Sequence, residues 1–171
     1  MIFVTVGNSI KGVEFRRLIQ EIDRIARDLN EEIVAQIGSI DESPRNIRCF
    51  SYLNYIEIQD YFRKASIIVG HCGTGTVINA LTHRKPIILV PRSKAYGEHI
   101  DNHQFELAKK LKGMEGIFIV EDLHQLKRTI LDVSTLLQTG RIEPSFSQER
   151  GRLLSFIRTF VRRCADELPN G

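Results

Sequence analysis

Apolar residues along the chain follow two spacings, one typical of strands and one typical of helices. Short runs of β-branched and apolar residues predict strands, whereas apolar residues at every third or fourth position predict amphipathic helices. The predicted strands cover residues 2–6, 32–37, 47–52, 67–69, 86–90 and 117–120. The predicted helices cover residues 13–29, 55–64, 74–82, 99–112 and 122–137.

Two of these strands, at residues 67–69 and 86–90, are apolar at every position. Such runs are typical of central parallel strands that are covered by helices on both faces. Because strand and helix alternate five or six times, we predict an α/β fold with a single Rossmann-like, doubly wound parallel sheet. This predicted lobe covers residues 1–137.

The remaining residues form a predicted linker and a final helix. Residues 138–147 contain Gly140 and Pro144 and are typical of a linker, and residues 148–171 contain an amphipathic helix with an apolar stripe and several arginines. Two interpretations of this helix stay open. It packs back on its own lobe, or it docks onto a second protein or anionic lipid headgroups.

Composition narrows the class of protein. A chain of 171 residues suits one well-buried domain, and a net charge of +3 without basic-aromatic repeats does not favour nucleic-acid binding. Cys49, Cys72 and Cys164 are widely spaced and predict reduced thiols, with Cys72 as a small packing residue. The start of the chain lacks the pattern of a signal peptide, and no apolar run is long enough to span a bilayer. We therefore expect a cytoplasmic protein.

Two loops predicted to leave the same edge of the sheet carry the candidate chemistry. The turn at residues 71–76 (HCGTGT) offers two glycines, two threonine hydroxyls and a helix N-terminus, which suit a phosphate group. The loop at residues 101–104 (DNHQ) offers four side chains able to hydrogen-bond a polyol. Because ligands of open α/β sheets bind at this edge, the pair predicts a nucleotide-sugar site.

Other nucleotide sites are disfavoured. The turn has no GK[ST] sequence, so ATP hydrolysis has no support, and it is not a GxGxxG turn of the NAD type. No paired aspartates are predicted beside the phosphates, so we expect no cofactor and no obligatory metal.

These motifs together resemble the C-terminal domain of family 28 glycosyltransferases, over most of residues 1–125. The likeness is greatest to small catalytic subunits of split, two-subunit UDP-sugar transferases. These include the bacterial exopolysaccharide type, in which Pro91-Arg92 and Gly97-Glu98-His99 recur, and the eukaryotic dolichyl-pyrophosphate GlcNAc type. The matching residues are Phe3 to Gly7, Gly70 to Thr76, Ala80-Leu81, Lys85-Pro86, Val90-Pro91, Asp101 to Gln104 and Glu106 to Ala108.

The resemblance implies one lobe of a GT-B fold and assigns roles to residues. His71 is the candidate catalytic residue, stabilising the leaving UDP in its protonated form or serving as general base, a role that a carboxylate of the partner could equally fill. The implied contacts of the diphosphate are His71, Gly73, Thr74, Gly75 and Thr76. The turn Gly7-Asn8-Ser9 is implied to face the same phosphates or the acceptor cleft, and Asn102, His103 and Gln104 to contact the donor sugar.

The chain departs from the family pattern at Asn79, where the family has a glutamate that holds the uridine ribose. An amide accepts one hydrogen bond and donates another, but it lacks the charge assistance of a carboxylate. We expect weaker donor binding or a different donor as a result.

Four residues have competing interpretations. Asp101 is an N-cap candidate for the helix that follows it, and His99 and His103 have a zinc-compatible spacing on one predicted helical face, without an evident third ligand. Arg92 is either a solvated charge or the cation that binds the carboxylate of a uronic-acid donor.

The resemblance implies an inverting hexosyltransferase that uses a UDP-sugar and acts on a lipid-linked sugar. Because one lobe is predicted, we expect a membrane-anchored partner subunit that binds the acceptor and holds this chain at the inner face of the membrane. Two alternatives are a catalytically silent binding lobe and a sugar-nucleotide epimerase, although the latter needs a second lobe and a carboxylate pair that the sequence does not show.

Overall fold

The computed structural model describes residues 1–7 and 12–142, together with Gly151, Ser155, Ile157 and Thr159. Its strands are β1 (Ile2–Thr5), β2 (Ile33–Gln36), β3 (Arg48–Phe50), β4 (Ile67–His71), β5 (Ile87–Val90) and β6 (Ile117–Ile119). Its helices are α1 (Arg16–Ala26), α2 (Tyr55–Lys64), α3 (Thr74–Thr82), α4 (His103–Leu111) and α5 (Leu126–Gln138). Short 3-10 turns lie at Lys94–Tyr96 and Leu123–Gln125.

The six strands form one sheet in the order β3-β2-β1-β4-β5-β6, and all neighbouring strands are parallel. The predicted doubly wound Rossmann-like sheet is therefore confirmed. The strand order reverses between β1 and β4, where Thr5 pairs with Gly70 at the carboxyl edge. In such folds the ligand crevice lies at this reversal.

Helices cover both faces of the sheet, as the apolar strands require. One core cluster packs α1 and α5 against β-strand residues such as Val4 and Val69, and the other packs α2, α3 and α4 against residues such as Phe3 and Ile68. The central strands are almost completely buried, which explains why they are apolar except at their carboxyl ends, where Thr5 and His71 lie.

The largest difference from the sequence prediction is the start of α4, which begins at His103 and not near residue 99. Gly97 adopts a left-handed conformation with φ of 67° and ends the preceding 3-10 turn. The carboxylate of Asp101 then accepts a hydrogen bond of 3.0 Å from the backbone N–H of His103. His99 therefore lies before the helix, and the predicted shared helical face with His103 is wrong.

Only part of the C-terminal segment is described. Gly151, Ser155, Ile157 and Thr159 are helical, and Ile157 is buried in the cluster that contains α2, α3 and α4. Gln138, the first residue of the predicted linker, still belongs to α5. Residues 143–147 of that linker and the full extent of the final helix otherwise fall outside the described residues and stay predictions. None of the helices in the described ranges combines the length and apolar character that crossing a bilayer requires.

Candidate functional site

A cleft of about 370 Å³ lies at the carboxyl edge of the sheet, between the first turns of α2 and α3. Volume alone does not distinguish it, since grooves of about 390 and 420 Å³ lie elsewhere on the described surface. The residues that line this cleft distinguish it, because they include seven residues predicted to contact the donor. The lining residues are Thr5, Gly7, Gln36, Ile58, Phe62, His71, Gly73, Thr74, Gly75, Thr76 and Asn79.

The imidazole of His71 lies in a slot between two glycines. A Cβ atom added to Gly7 would lie 2.2 Å from Cε1 of His71, and one added to Gly73 would lie 2.2 Å from Nε2. Gly7 also has a φ of +68°, which side-chain-bearing residues rarely adopt. Glycine is therefore required at both positions for the ring of His71 to fit. This packing requirement is a second reason for the two glycines, in addition to the close approach of a phosphate.

Polar contacts orient the ring of His71. Its Nδ1 lies 3.2 Å from the hydroxyl of Thr76, and the backbone carbonyl of Thr5 accepts a hydrogen bond from it. Burial, together with the positive charge of Arg92, lowers the pKa of His71 to about 3. In the unliganded protein the imidazole is therefore neutral at pH 7, which contradicts the expectation of a protonated His71. A neutral ring carries one N–H group, which the contact with the backbone of Thr5 engages, and the catalytic role of His71 stays a prediction.

The N-terminus of α3 provides the donors for an anion. Gly73 is the N-cap residue and supplies no capping side chain, and the first turn contains no acidic residue. The N–H groups of this turn have no partner within the helix, and the helix dipole adds partial positive charge. None of the lining residues is acidic, so a phosphate meets no repulsive charge there.

Asn79 lies one turn further along α3 and is held by Gln59, which His83 contacts in turn. Nε2 of Gln59 donates a 2.9 Å hydrogen bond to Oδ1 of Asn79, and Oε1 of Gln59 lies 2.7 Å from Nε2 of His83. The carbonyl oxygen of Asn79 is therefore already engaged by a protein donor. At the position where the resemblance implies a glutamate, this chain therefore has an amide whose oxygen is occupied.

The loop after β5 is organised by charged side chains that pair with one another. Nε of Arg17 lies 2.5 Å from Oε1 of Glu98, whose Oε2 accepts a 2.9 Å hydrogen bond from the backbone of Ser93. The guanidinium of Arg92 lies over the ring of Phe15 and donates to the backbone carbonyl of Val6. Arg92 is only 5% exposed, so it is not the solvated charge that the sequence allowed.

The residues predicted to contact the sugar lie at the end of this loop and in the first turn of α4, outside the cleft lining. The side chain of Asn102 accepts a hydrogen bond from the backbone of Lys94, and that of Gln104, which is buried, accepts one from the backbone of Arg92. His103 is exposed, and its Nδ1 lies 2.9 Å from the carboxylate of Asp101.

Asp101 lies between two imidazoles, since Nδ1 of His99 is also 2.9 Å from its carboxylate. Burial opposes ionisation of Asp101, but the backbone N–H of His103 and the two imidazoles hold its pKa below the usual value. In the described part of the chain, no group of three His, Cys, Asp or Glu side chains is arranged to hold a metal ion.

Sequence reasoning missed the amide groups of the cleft. Gln36 ends β2 beside Thr5, Gln59 reaches Asn79 from α2, and His83, at the end of α3, contacts Gln59. A polar residue at the carboxyl end of an otherwise apolar strand is the signal that identifies Gln36. Asn8 and Ser9 lie outside the described residues, so their predicted contacts stay predictions.

Comparison with known proteins establishes the family. The model of the glycosyltransferase family 28 C-terminal domain matches residues 1–146. This chain therefore belongs to that family, and its sheet is one lobe of the GT-B type.

The chain is similar in sequence to proteins named as transferases of N-acetylglucosamine. It is 28% identical over 116 residues to the mouse UDP-N-acetylglucosamine transferase subunit ALG13, a match that covers 64% of this chain and 10% of that protein. It is 24% identical over 145 residues to the Clostridium tetani UDP-N-acetylglucosamine–N-acetylmuramyl-(pentapeptide) pyrophosphoryl-undecaprenol N-acetylglucosamine transferase, covering 82% of this chain and 39% of that enzyme. The chain thus spans less than half the length of these relatives.

A solved structure shows the same fold. The NMR solution structure of ALG13 superposes with a TM-score of 0.54 at 16% identity, covering 91% of this chain and 94% of that one.

Proposed function

We propose that this protein is the donor-binding, catalytic subunit of an inverting glycosyltransferase that uses a UDP-sugar. One observation carries this proposal. Seven of the residues predicted to bind the donor line a single cleft at the reversal of strand order, beside an uncapped helix N-terminus. Family membership supports a transferase, and the names of both relatives include UDP-N-acetylglucosamine.

In this proposal the diphosphate lies at the first turn of α3 and needs no metal. The N–H groups of Thr74, Gly75 and Thr76 and the helix dipole stabilise the charge that develops on the leaving UDP. His71 lies beside this turn in the glycine slot, where the unprotonated nitrogen of its neutral ring is an acceptor. An acceptor hydroxyl attacks the anomeric carbon from the opposite side, and its proton passes to His71 or to a carboxylate of the partner.

The acceptor is proposed to be a lipid-linked sugar, as in the name of the Clostridium relative, which refers to undecaprenol. A single lobe supplies only one wall of a GT-B cleft, and the mouse relative is called a subunit. We therefore propose a partner that carries the acceptor lobe and anchors the pair at the cytoplasmic face of a membrane.

The donor hexose is a narrower question. N-acetylglucosamine has the support of the relatives' names, whereas glucose, galactose and glucuronate remain in the proposal from the resemblance. Arg92 is buried against Val6 and Phe15, and this burial disfavours its binding to the carboxylate of a glucuronate donor. Comparing UDP-glucose with UDP-glucuronate in an Arg92→Ala variant tests this role, which predicts a loss confined to the glucuronate.

Titration calorimetry with UDP and with the four UDP-hexoses tests donor binding by the chain itself. Co-expression with an acceptor-lobe protein, followed by an assay of sugar transfer to a lipid-linked acceptor, tests catalysis. Donor binding without transfer in that complex would favour the alternative of a catalytically silent lobe, and absence of both would reject the proposal.

A further inference from the structure

We infer that Gln36 is an additional nucleotide-binding residue, whose side-chain carbonyl accepts a hydrogen bond from an N–H or O–H group of the donor's nucleoside. This inference rests on the proposed function, which it extends to the base and ribose half of the ligand. Neither the resemblance nor the motifs of the two loops pointed to this residue.

The carboxamide of Gln36 is buried without a complete set of partners. The residue is 3% exposed and lies in the lining of the cleft. Its Oε1 atom is fully buried and accepts no hydrogen bond from any residue that the structure describes. Its backbone, in contrast, is satisfied, since the Gln36 carbonyl accepts a hydrogen bond from Val6. A buried acceptor without a donor lowers stability, so a residue of this kind needs a function that offsets the cost.

The chemistry of the atom limits what it can bind. A carbonyl oxygen accepts hydrogen bonds, and the diphosphate of a nucleotide offers only acceptors at neutral pH. The partner must therefore be an N–H of the base or a hydroxyl of a sugar. Both the ribose and the transferred hexose carry hydroxyls, so chemistry alone does not separate them.

The order of strands in the sheet distinguishes the nucleoside from the hexose as the partner of Gln36. Gln36 ends β2, and the phosphate-binding turn follows β4, two strands away. The loop predicted to contact the hexose follows β5, on the opposite side of β4. A nucleotide-sugar with its diphosphate at α3 therefore places the hexose toward β5 and the nucleoside toward β2. The side chains of Ile58 and Phe62 also line the cleft and suit the apolar face of a base.

The test replaces Gln36 with leucine, which has a similar volume and no polar group. We expect the dissociation constants of UDP and UMP to rise by the same factor, roughly three- to tenfold, because one hydrogen bond is lost from the nucleoside. The melting temperature of the unliganded protein should stay the same or rise, because a buried acceptor without a partner is removed.

Gln104→Leu is the matched control. Gln104 is also buried, but its Oε1 accepts a 3.0 Å hydrogen bond from the backbone of Arg92. Its replacement should lower the melting temperature because a buried N–H is left without an acceptor. A Gln36→Leu variant that melts lower and binds UDP like the wild type would give Gln36 a structural role only and overturn the inference.

Nucleotide analogues test the same contact without a folding risk. The wild type should bind one of 2′-deoxy-UDP, 3′-deoxy-UDP or N3-methyl-UDP more weakly than UDP, by the same factor that Gln36→Leu weakens UDP binding. The variant should bind that analogue as well as it binds UDP. A loss restricted to UDP-sugars would place the contact on the hexose and overturn the inference. A wild-type protein that binds no uridine nucleotide would reject the proposed function itself, whereas normal UDP binding by the variant rejects only the role of Gln36.

Discussion

The cleft beside α3 and the loop after β5 are both polar, yet they use their polar groups in opposite ways. In the loop, Arg17, Arg92 and Glu98 pair with one another or with backbone groups, and these contacts hold the loop in place. In the cleft, the N-terminus of α3 has no capping side chain, and Oε1 of Gln36 accepts no hydrogen bond from a described residue. The loop's polar groups stabilise the fold, whereas those of the cleft are available to a ligand.

The largest expected effect concerns the buried ion pair of the loop. Glu98→Ala should lower the free energy of unfolding by about 3 kcal/mol, because Arg17 and the backbone of Ser93 lose a buried carboxylate. Urea denaturation measures this loss. Glu42→Ala is the matched control, since its pair with Arg16 is exposed and 3.7 Å long and should contribute less than about 0.5 kcal/mol. Equal losses in both variants would refute the distinction.

The second prediction concerns pH and the ring of His71. Its folded pKa is about 3, below the unfolded value of about 6.5, so the unfolded state binds more protons between these values. Stability is therefore complete above pH 6.5 and falls as the pH decreases toward 3. At pH 4.5 the contribution lost is on the order of 2 to 3 kcal/mol.

Chemical denaturation at pH 7 and pH 4.5 measures this pH dependence. His71→Gln should flatten the curve between these values, whereas His124→Gln, at an exposed position, should leave it unchanged. A wild-type curve that is as flat as that of His71→Gln would contradict the buried neutral ring.

The third prediction uses two glycines of the same turn. Gly73→Ala should destabilise the protein by about 1 to 3 kcal/mol and weaken UDP binding, because its Cβ would displace the ring of His71. Gly75→Ala is the control, since nothing lies within 4 Å of its added Cβ and alanine favours the helix. Thermal melting and calorimetry with UDP follow both properties, and equal melting temperatures for the two variants would argue against the slot.

The smallest expected effect separates the two regions by ligand. Asn79→Ala should weaken UDP and UDP-sugars alike, by roughly three- to tenfold, because its amide faces the nucleotide cleft. Asn102→Ala should leave UDP binding unchanged and alter only the affinity gained from the sugar. Calorimetry on the four protein–ligand pairs checks this, and loss of UDP affinity in Asn102→Ala would join the two regions into one site.

Sequence reasoning predicted the order of strands and helices, because apolar strands and amphipathic helices have distinct spacings. It failed where tertiary contacts decide. The start of α4 moves to His103 because Gly97 turns left-handed, and helical spacing alone does not anticipate this. The burial of Arg92 depends on its contacts with Phe15 and Val6, which are distant in sequence. Gln36 carries a sequence signal, as a polar residue at the end of an apolar strand, but its position in the cleft follows from strand order.

Cys72 is a buried member of the glycine turn, and burial raises the pKa of its thiol to about 12. Its thiol is consequently almost unreactive while the turn stays closed. In a chain with Cys49 and Cys164 replaced by serine, the rate at which maleimide labels Cys72 would therefore measure how often this turn opens. Slower labelling in the presence of UDP would show that the nucleotide clamps the turn, and it would do so without any assay of sugar transfer.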